Sequence, residues 1–328
     1  MRAIGIKAFG GPEVLAAMTI EPVPPTAGQA RVRVAYSGVS SLEVHVRRGA
    51  FIREAARSPD WPLVLGYEGS GVVETVASDV EGLTVGDRVA WCGASGAHAE
   101  AVTLAAWRLV RVPQEMPLDV ACALQLDGML AHALTVSVFP IKAGDRVLVQ
   151  SGADPAALLL TQIAKVQGAE VIATVSRESD VGGPGAAGAD HTIVLGTDDP
   201  EGRILAATGG QGCHVVYDAI GRDTIRLSLA CCRRRGVVAL HDGHSGPVET
   251  VRPDDLAAAG SLYLTRPHLA DYMQDAAEVR WRMEGLFEAW LKGLLKVGIG
   301  RILPLEAARE GHLALEGGTA TGKILLKI

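Results

Sequence analysis

The stretch Leu240-His241-Asp242-Gly243-His244-Ser245-Gly246 puts two imidazoles and a carboxylate within four residues. Those groups can move a proton near neutral pH, with His241 as acid or base and Asp242 as the group that orients it. Ser40, Glu43 and His45 bring a hydroxyl, an acid and an imidazole together early in the chain, and Asp127 adds an acid in Leu126-Asp127-Gly128-Met129. A fourth group is the turn Ser151-Gly152-Ala153-Asp154-Pro155-Ala156-Ala157. Asp as N-cap followed by Pro at the first helical position is a strong helix start. The Asp154 carboxylate is expected to accept the helix N–H bonds that an anionic ligand would otherwise take. Each group also has a plainer reading. His241, Asp242 and His244 suit an exposed polar loop, Glu43 and His45 hydrogen-bonded wall positions, and Asp127 a solvated helix end. No G-x-S-x-G elbow is present, so a serine hydrolase has no support.

The elements that must position these groups change character along the chain. Residues 1–110 hold short β-like runs such as 30–36 (ARVRVAY), 69–76 (GSGVVETV) and 87–91 (DRVAW), with Gly-rich turns at 66–71 and 93–96. They predict a mostly antiparallel, barrel-like β domain. From about residue 120, helices alternate with continuous apolar runs. A helix over 118–134 leads to strand 146–149, helix 156–167 and strand 170–175, and then strands 191–194, 215–218 and 237–241. That alternation predicts a doubly wound parallel α/β sheet. Strand 261–265, amphipathic helix 276–294 and strand 323–328 close the chain. The expected domains are 1–120 plus 265–328, barrel-like, and 121–264, nucleotide-binding.

Composition excludes several classes. The 328 residues carry a net charge of −6 and no sustained basic stripe, which argues against a nucleic-acid partner. Arg233-Arg234-Arg235 reads as an exposed turn before an apolar strand. No apolar run reaches the roughly 18 residues needed to span a bilayer, and no signal-peptide pattern opens the chain. Five cysteines lack any C-x-x-C spacing, so no disulfide framework or zinc knuckle is indicated, and a cytoplasmic location is the expectation.

Several segments together resemble one family along nearly the whole chain. They are Gly66-Tyr67-Glu68-Gly69-Ser70-Gly71 (G-x-E-x-x-G), Val85-Gly86-Asp87-Arg88-Val89 (V-G-D-R-V), 158–165 (LLLTQIAK), 260–267 (GSLYLTRP) and 321–325 (TGKIL). The chain resembles the zinc-independent medium-chain dehydrogenases/reductases, in their quinone oxidoreductase-like branch. The resemblance implies a barrel-like (GroES-like) β domain with an inserted Rossmann-type sheet, an active cleft between them, NADPH as cofactor and a homodimer joined through the edge at 261–265. Zinc-dependent cousins place a Cys near position 40 and a His after the glycine at 66. Ser40 and Tyr67 stand there, so no zinc is expected.

Relatives carry A-A-G-G-V-G where this chain has the turn at 151–157, so one glycine, Gly152, survives beside an acid and a proline. Their phosphate-pairing Lys falls at Asp180 by register. Ser176 and Arg177 stand close by, and Arg177 can substitute. Gly182-Gly183-Pro184-Gly185 replaces a helix of relatives and is not expected to form one. On the substrate side, Ser40, Glu43 and His45 replace the family's Asn, Asp and Tyr, and Phe51 stands where relatives often have Tyr.

The leading expectation is therefore an enzyme that uses no cofactor. It would perform acid–base isomerisation, elimination or cyclisation on a small apolar molecule, through Ser40, Glu43, His45, Asp127, His241 and Asp242. The alternative is an NADPH-dependent quinone or enone reductase with an unusual phosphate turn, using Gly152, Asp154, Ser176, Arg177 and Lys323. A third reading is a non-catalytic binding or scaffold protein.

Overall fold

The computed structural model describes residues 1–50 and 61–328, so Phe51 lies outside the described residues. Two compact units appear, one of residues 1–126, 273–292 and 297–328, the other of 127–272 and 293–296. The changeovers thus lie at 126/127 and 272/273 rather than at the expected 120/121 and 264/265.

In chain order the first unit opens with β1 (Arg2–Ile6), β2 (Ala16–Thr19), β3 (Gln29–Val39), α1 (Ser41–Arg47) and β4 (Leu63–Val64). It continues with β5 (Glu68–Val76), β6 (Arg88–Cys92), β7 (Ala101–Ala105), β8 (Val110–Arg111) and α2 (Leu118–Ala123). The second unit holds α3 (Leu126–His132) from its second residue onward, β9 (Arg146–Val149), α4 (Pro155–Val166), β10 (Glu170–Val175), α5 (Gly182–Ala186), β11 (His191–Val194) and α6 (Pro200–Ala207). It goes on through β12 (Cys213–Asp218), α7 (Ile225–Ala230), β13 (Cys232–Leu240), α8 (Pro253–Ala258) and β14 (Tyr263–Thr265). The chain returns to the first unit for α9 (Ala276–Leu291), β15 (Ile299–Pro304), α10 (Ala308–Glu316) and β16 (Lys323–Lys327).

The first unit is built on a sheet of order β15-β16-β3-β5-β6-β8, with β7 also paired to β3, and a smaller sheet β2-β1-β4. Most of its pairs are antiparallel, and alternate residues of β3 such as Ala30, Val32 and Val34 point into a core with Val73, Val89, Trp91 and Leu104. That alternation is what a sheet with one buried face requires. Gly66 sits at φ +89°, and a Cβ there would meet the backbone N of His98 at 2.4 Å, so only glycine allows this approach.

The second unit is a six-stranded parallel sheet of order β11-β10-β9-β12-β13-β14. Its central strands β9, β10 and β12 are buried on both faces and so read as largely apolar runs. Strand order reverses between β9 and β12. Ligands of open α/β sheets bind at such a switch point, beyond the carboxyl ends of the strands.

Three expectations about local structure are corrected. Residues 182–186 form the short helix α5 despite their glycines. A 3₁₀ turn at Glu178–Asp180 precedes it, Pro184 is buried in its first turn, where a missing N–H costs nothing, and Gly183 lies against Leu158 of α4. Packing outweighs the roughly 1 kcal/mol per glycine of helix propensity. The expected single helix over 118–134 is divided into α2 and α3, and α3 runs on into a π-helical turn at Ala133–Val138. Arg233-Arg234-Arg235 falls inside the limits of β13 rather than before a strand, at a register irregularity between Cys232 and Val237 where Arg235 has φ +57°, and Arg234 and Arg235 are exposed as expected.

Candidate functional site

In the second unit, turns following β9, β10, β12 and β13 all leave the carboxyl ends of the strands. A buried polar network fixes their roots. Asp218, at the end of β12, is fully buried, and its Oδ1 accepts from the N–H groups of Ile220 and Gly221 at 2.9 Å each. Thr224 Oγ1 donates to the same carboxylate at 2.9 Å, and Ser228 Oγ at 2.7 Å. Ser228 in turn accepts from Gln150 Nε2 at 3.2 Å, and Gln150 Oε1 accepts from Thr174 Oγ1. β9, β10, β12 and α7 are thereby tied together by groups whose burial would be costly if any partner were missing. The loop after β13 hangs on the same frame: the N–H groups of His241, His244 and Ser245 donate to the carbonyls of Asp218, Ala219 and Ile220.

At the turn after β9, Gly152 is buried, and a Cβ there would stand 2.8 Å from Ala173 Cβ, so the backbone passes too close to β10 for any larger residue. Asp154 and Pro155 occupy the N-cap and first helical positions of α4, as expected. The expected self-capping does not occur, because the Asp154 side chain makes no cap hydrogen bond. It turns away, accepts from Ser151 Oγ, and lies 3.4 Å from His244 Nδ1. Pro155 has no N–H to offer, but the N–H groups of Ala156 and Ala157 and the positive end of helix α4 are not taken by the Asp154 side chain and stay available to an anion.

His244 is the centre of this site; the sequence offers it as one of the loop's two imidazoles but assigns the acid–base role to His241. Its Nε2 lies 3.1 Å from Asp242 Oδ2, so Asp242 orients His244 and not His241. Burial lowers the His244 pKa, but the hydrogen bond to Asp242, its charge and those of Asp154 and Asp218 outweigh this and push it up to about 9. The Asp154 carboxyl is raised, chiefly by burial, against the opposing pull of His244 and Ser151. Asp127, half-buried in the first turn of α3, adds to that rise. His241 is pushed down to about 4 by burial, and neither of its ring nitrogens has a hydrogen-bond partner among the described residues.

Ser176 and Arg177 are exposed immediately after β10. Arg177 forks onto Asp180, Nε to Oδ2 at 2.8 Å and Nη2 to Oδ1 at 3.3 Å. An exposed pair of this kind contributes little to stability, so a phosphate can replace the carboxylate.

The remaining expected residues are in the first unit. Lys323 is buried with its Nζ 2.5 Å from Glu68 Oε1, an ion pair within the core of the first unit. Ser40 precedes α1, buried and with its Oγ unpartnered among the described residues, and His45 is half-buried in that helix's last turn. Glu43 is wholly enclosed and not a wall residue open to substrate. Its Oε1 accepts from Tyr67 N at 3.2 Å, and its Oε2 lies 3.2 Å from His98 Nε2 and 3.6 Å from His312 Nε2. These donor atoms lie within 4.8 Å of one another, a spacing a metal ion could use. However, Arg47 Nη1 stands 3.5 Å from His312 Nδ1 and can only donate, which keeps the proton on Nε2 and denies a metal that lone pair.

Comparison with known proteins places the chain. Residues 26–114 match the family described as alcohol dehydrogenase GroES-like domain, and residues 155–270 that described as zinc-binding dehydrogenase. The 2-haloacrylate reductase of Burkholderia sp is 35% identical over 97% of this chain and 96% of its own. A mycobacterial structure complexed with NADPH is 37% identical, with a TM-score of 0.94 and 100% of both chains covered. The Escherichia coli quinone oxidoreductase complexed with NADPH is 31% identical, with a TM-score of 0.95 and again 100% of both chains covered. NADPH-bound relatives of this extent overturn the expectation of cofactor-free acid–base chemistry, and with it that of no cofactor. The physical premise of that expectation, a helix end neutralised by Asp154, had already failed in the geometry. This chain is an enzyme of the oxidoreductase type, and it belongs to the medium-chain dehydrogenase/reductase superfamily, in the zinc-independent, quinone oxidoreductase-like branch.

Proposed function

We propose that the chain is an NADPH-dependent reductase of quinones or of enone-type double bonds. The observation that carries this reading is the turn after β9, where Asp154 leaves the positive end of α4 uncapped. Bound NADPH supplies a hydride equivalent. The residues present fit such a ligand. Gly152 keeps the backbone low against β10, the start of α4 offers N–H donors, and His244 offsets the charge of Asp154. Arg177 supplies a guanidinium that can exchange Asp180 for a 2′-phosphate. The Asp218 network holds these turns in register, so little reorganisation accompanies binding.

Quinones and 2-haloacrylates, the substrates that name two of the similar proteins, share an electron-poor conjugated double bond. We assign that acceptor class to this chain. NADPH titration followed by fluorescence should give a micromolar dissociation constant, and a quinone or an enone should then deplete the NADPH absorbance. No binding of NADPH or NADH would overturn the proposal. We also propose a homodimer through β14, an edge strand whose Tyr263 is 64% exposed. A monomeric mass in solution would refute it.

A further inference from the structure

Besides the acid and proline in its turn, the site after β9 differs from a plain glycine cradle in the side-chain cation beside it, held between two acids. His244 comes from the loop after β13. The groups facing it are Asp154 from the start of α4, Asp218 from the end of β12, and His241 and Asp242 from its own loop. Beyond these, Arg266 donates to the Asp242 carbonyl at 2.6 Å, and Asp127 of α3 acts on Asp154.

The two acids hold His244 unequally. Asp242 is nearer, at 3.1 Å, is only 17% exposed, and is itself fixed by the Gly243 N–H at 2.8 Å. Asp154 is farther, at 3.4 Å, is 41% exposed, and has Ser151 as a second partner. Asp242 therefore positions the imidazole, while Asp154 is the exchangeable contact. His241 adds two solvent-shielded ring nitrogens without a partner among the described residues, polar atoms whose burial makes sense beside a bound polar group.

We propose that His244 is the side-chain anchor for the diphosphate of the cofactor, positioned by Asp242, and that Asp154 is the internal anion which the diphosphate displaces. This rests on the NADPH reading and deepens it. A carboxylate beside the helix start would repel a diphosphate, and the imidazolium reverses the sign of the local field. With His244 neutral, Asp154, Asp242 and Asp218 would leave the turn strongly negative. The displaced Asp154 carboxylate keeps its Ser151 contact, or takes up a proton, which its raised pKa favours. Cofactor affinity in this chain is thus linked to the proton on His244, and it falls as pH rises through about 9.

The test is fluorescence titration of the full chain with NADPH across about pH 7 to about pH 10, the window in which this imidazole titrates. Wild type should bind at neutral pH and weaken through the alkaline range. His244→Gln should bind about tenfold or more weakly at neutral pH, as loss of a charge-assisted contact implies, and its affinity should be flat with pH. Asp154→Asn should bind several-fold more tightly at neutral pH, because the competing anion is gone, and should keep the alkaline loss. Equal affinity and pH dependence in wild type and His244→Gln would overturn the inference while leaving the NADPH reading intact. So would unchanged or weakened binding in Asp154→Asn, which decides the matter if His244→Gln does not fold. A wild type that binds neither NADPH nor NADH would overturn the reading itself.

Discussion

Two clusters of imidazole and carboxylate, one in each unit, show how the same residue types reach opposite states. In the first unit Glu43 lies between His98 and His312, and all three are fully buried. Burial pushes His312 down to about 4, and the charge of Glu43 does not reverse this. Glu43 is raised by burial but held below the ordinary carboxylate range by His98, His312 and the Tyr67 N–H. In the second unit the ratio is inverted, with one imidazole, His244, between two acids and 37% exposed. There the acids overcome desolvation and the ring is cationic at neutral pH. Desolvation lowers both rings, so the number of acids per imidazole decides the sign of the shift, and it separates a structural cluster from one able to meet an anion.

The comparison can be broken most decisively at Glu43. Glu43→Ala leaves buried groups without their carboxylate and should cost roughly 3–5 kcal/mol, whereas Asp154→Asn, at a partly exposed site, should change stability by under about 1 kcal/mol. Thermal and denaturant unfolding measure both. Similar costs at the two sites would erase the distinction. Lys323→Ala should also be costly, again by roughly 3–5 kcal/mol, because it strands Glu68 in the core. A stable Lys323→Ala variant with weakened NADPH binding would instead mark Lys323 as a cofactor ligand.

Stability against pH sharpens the contrast. His312 has a folded pKa near 4 against about 6.5 in the unfolded chain, so the unfolded state binds the extra proton and stability falls as pH drops through that window. The lowered pKa of Glu43 acts in the same direction: its contribution is present above the usual carboxylate range and is lost as pH falls through the folded value. His244 is raised to about 9, so its contribution is complete below about 6.5 and is lost as pH rises toward 9. Melting temperature should therefore drop on both sides of neutrality. His312→Gln should flatten the acid limb and His244→Gln the alkaline one, and the reverse assignment would refute the comparison. The smallest effect is expected at the rim. Arg177→Ala should lower the preference for NADPH over NADH by about tenfold with little change in melting temperature. An unchanged preference would remove Arg177 from the site.

Much of the scaffold was legible in the chain, because parallel strands buried on both faces must be continuous apolar runs. Strands at 146–149, 170–175 and 191–194 were read with their observed limits. Helix α9 was read at its true start, Ala276, where Asp275 now proves to cap the Glu278 N–H. Strand β15 and helix α10 escaped notice. β15 has only partly buried and exposed residues, and α10 packs by contacts with distant segments such as α1. Of the candidate site residues, Asp154 was identified by position but given the wrong bond, and Asp242 was given the wrong histidine.

What the sequence by itself determined is the fold and the family, since periodicity, turn residues and motif spacing are local and survive without coordinates. Which acid faces which imidazole was decided only by tertiary structure. Asp154 and His244 are 90 residues apart, and His312 and Glu43 are 269 apart, by subtraction of their numbers in the chain. A carboxylate at an N-cap position has two possible uses, a helix N–H or a distant imidazole. Nothing local weighs one against the other; the loop hung on buried Asp218 does, by carrying His244 to within 3.4 Å.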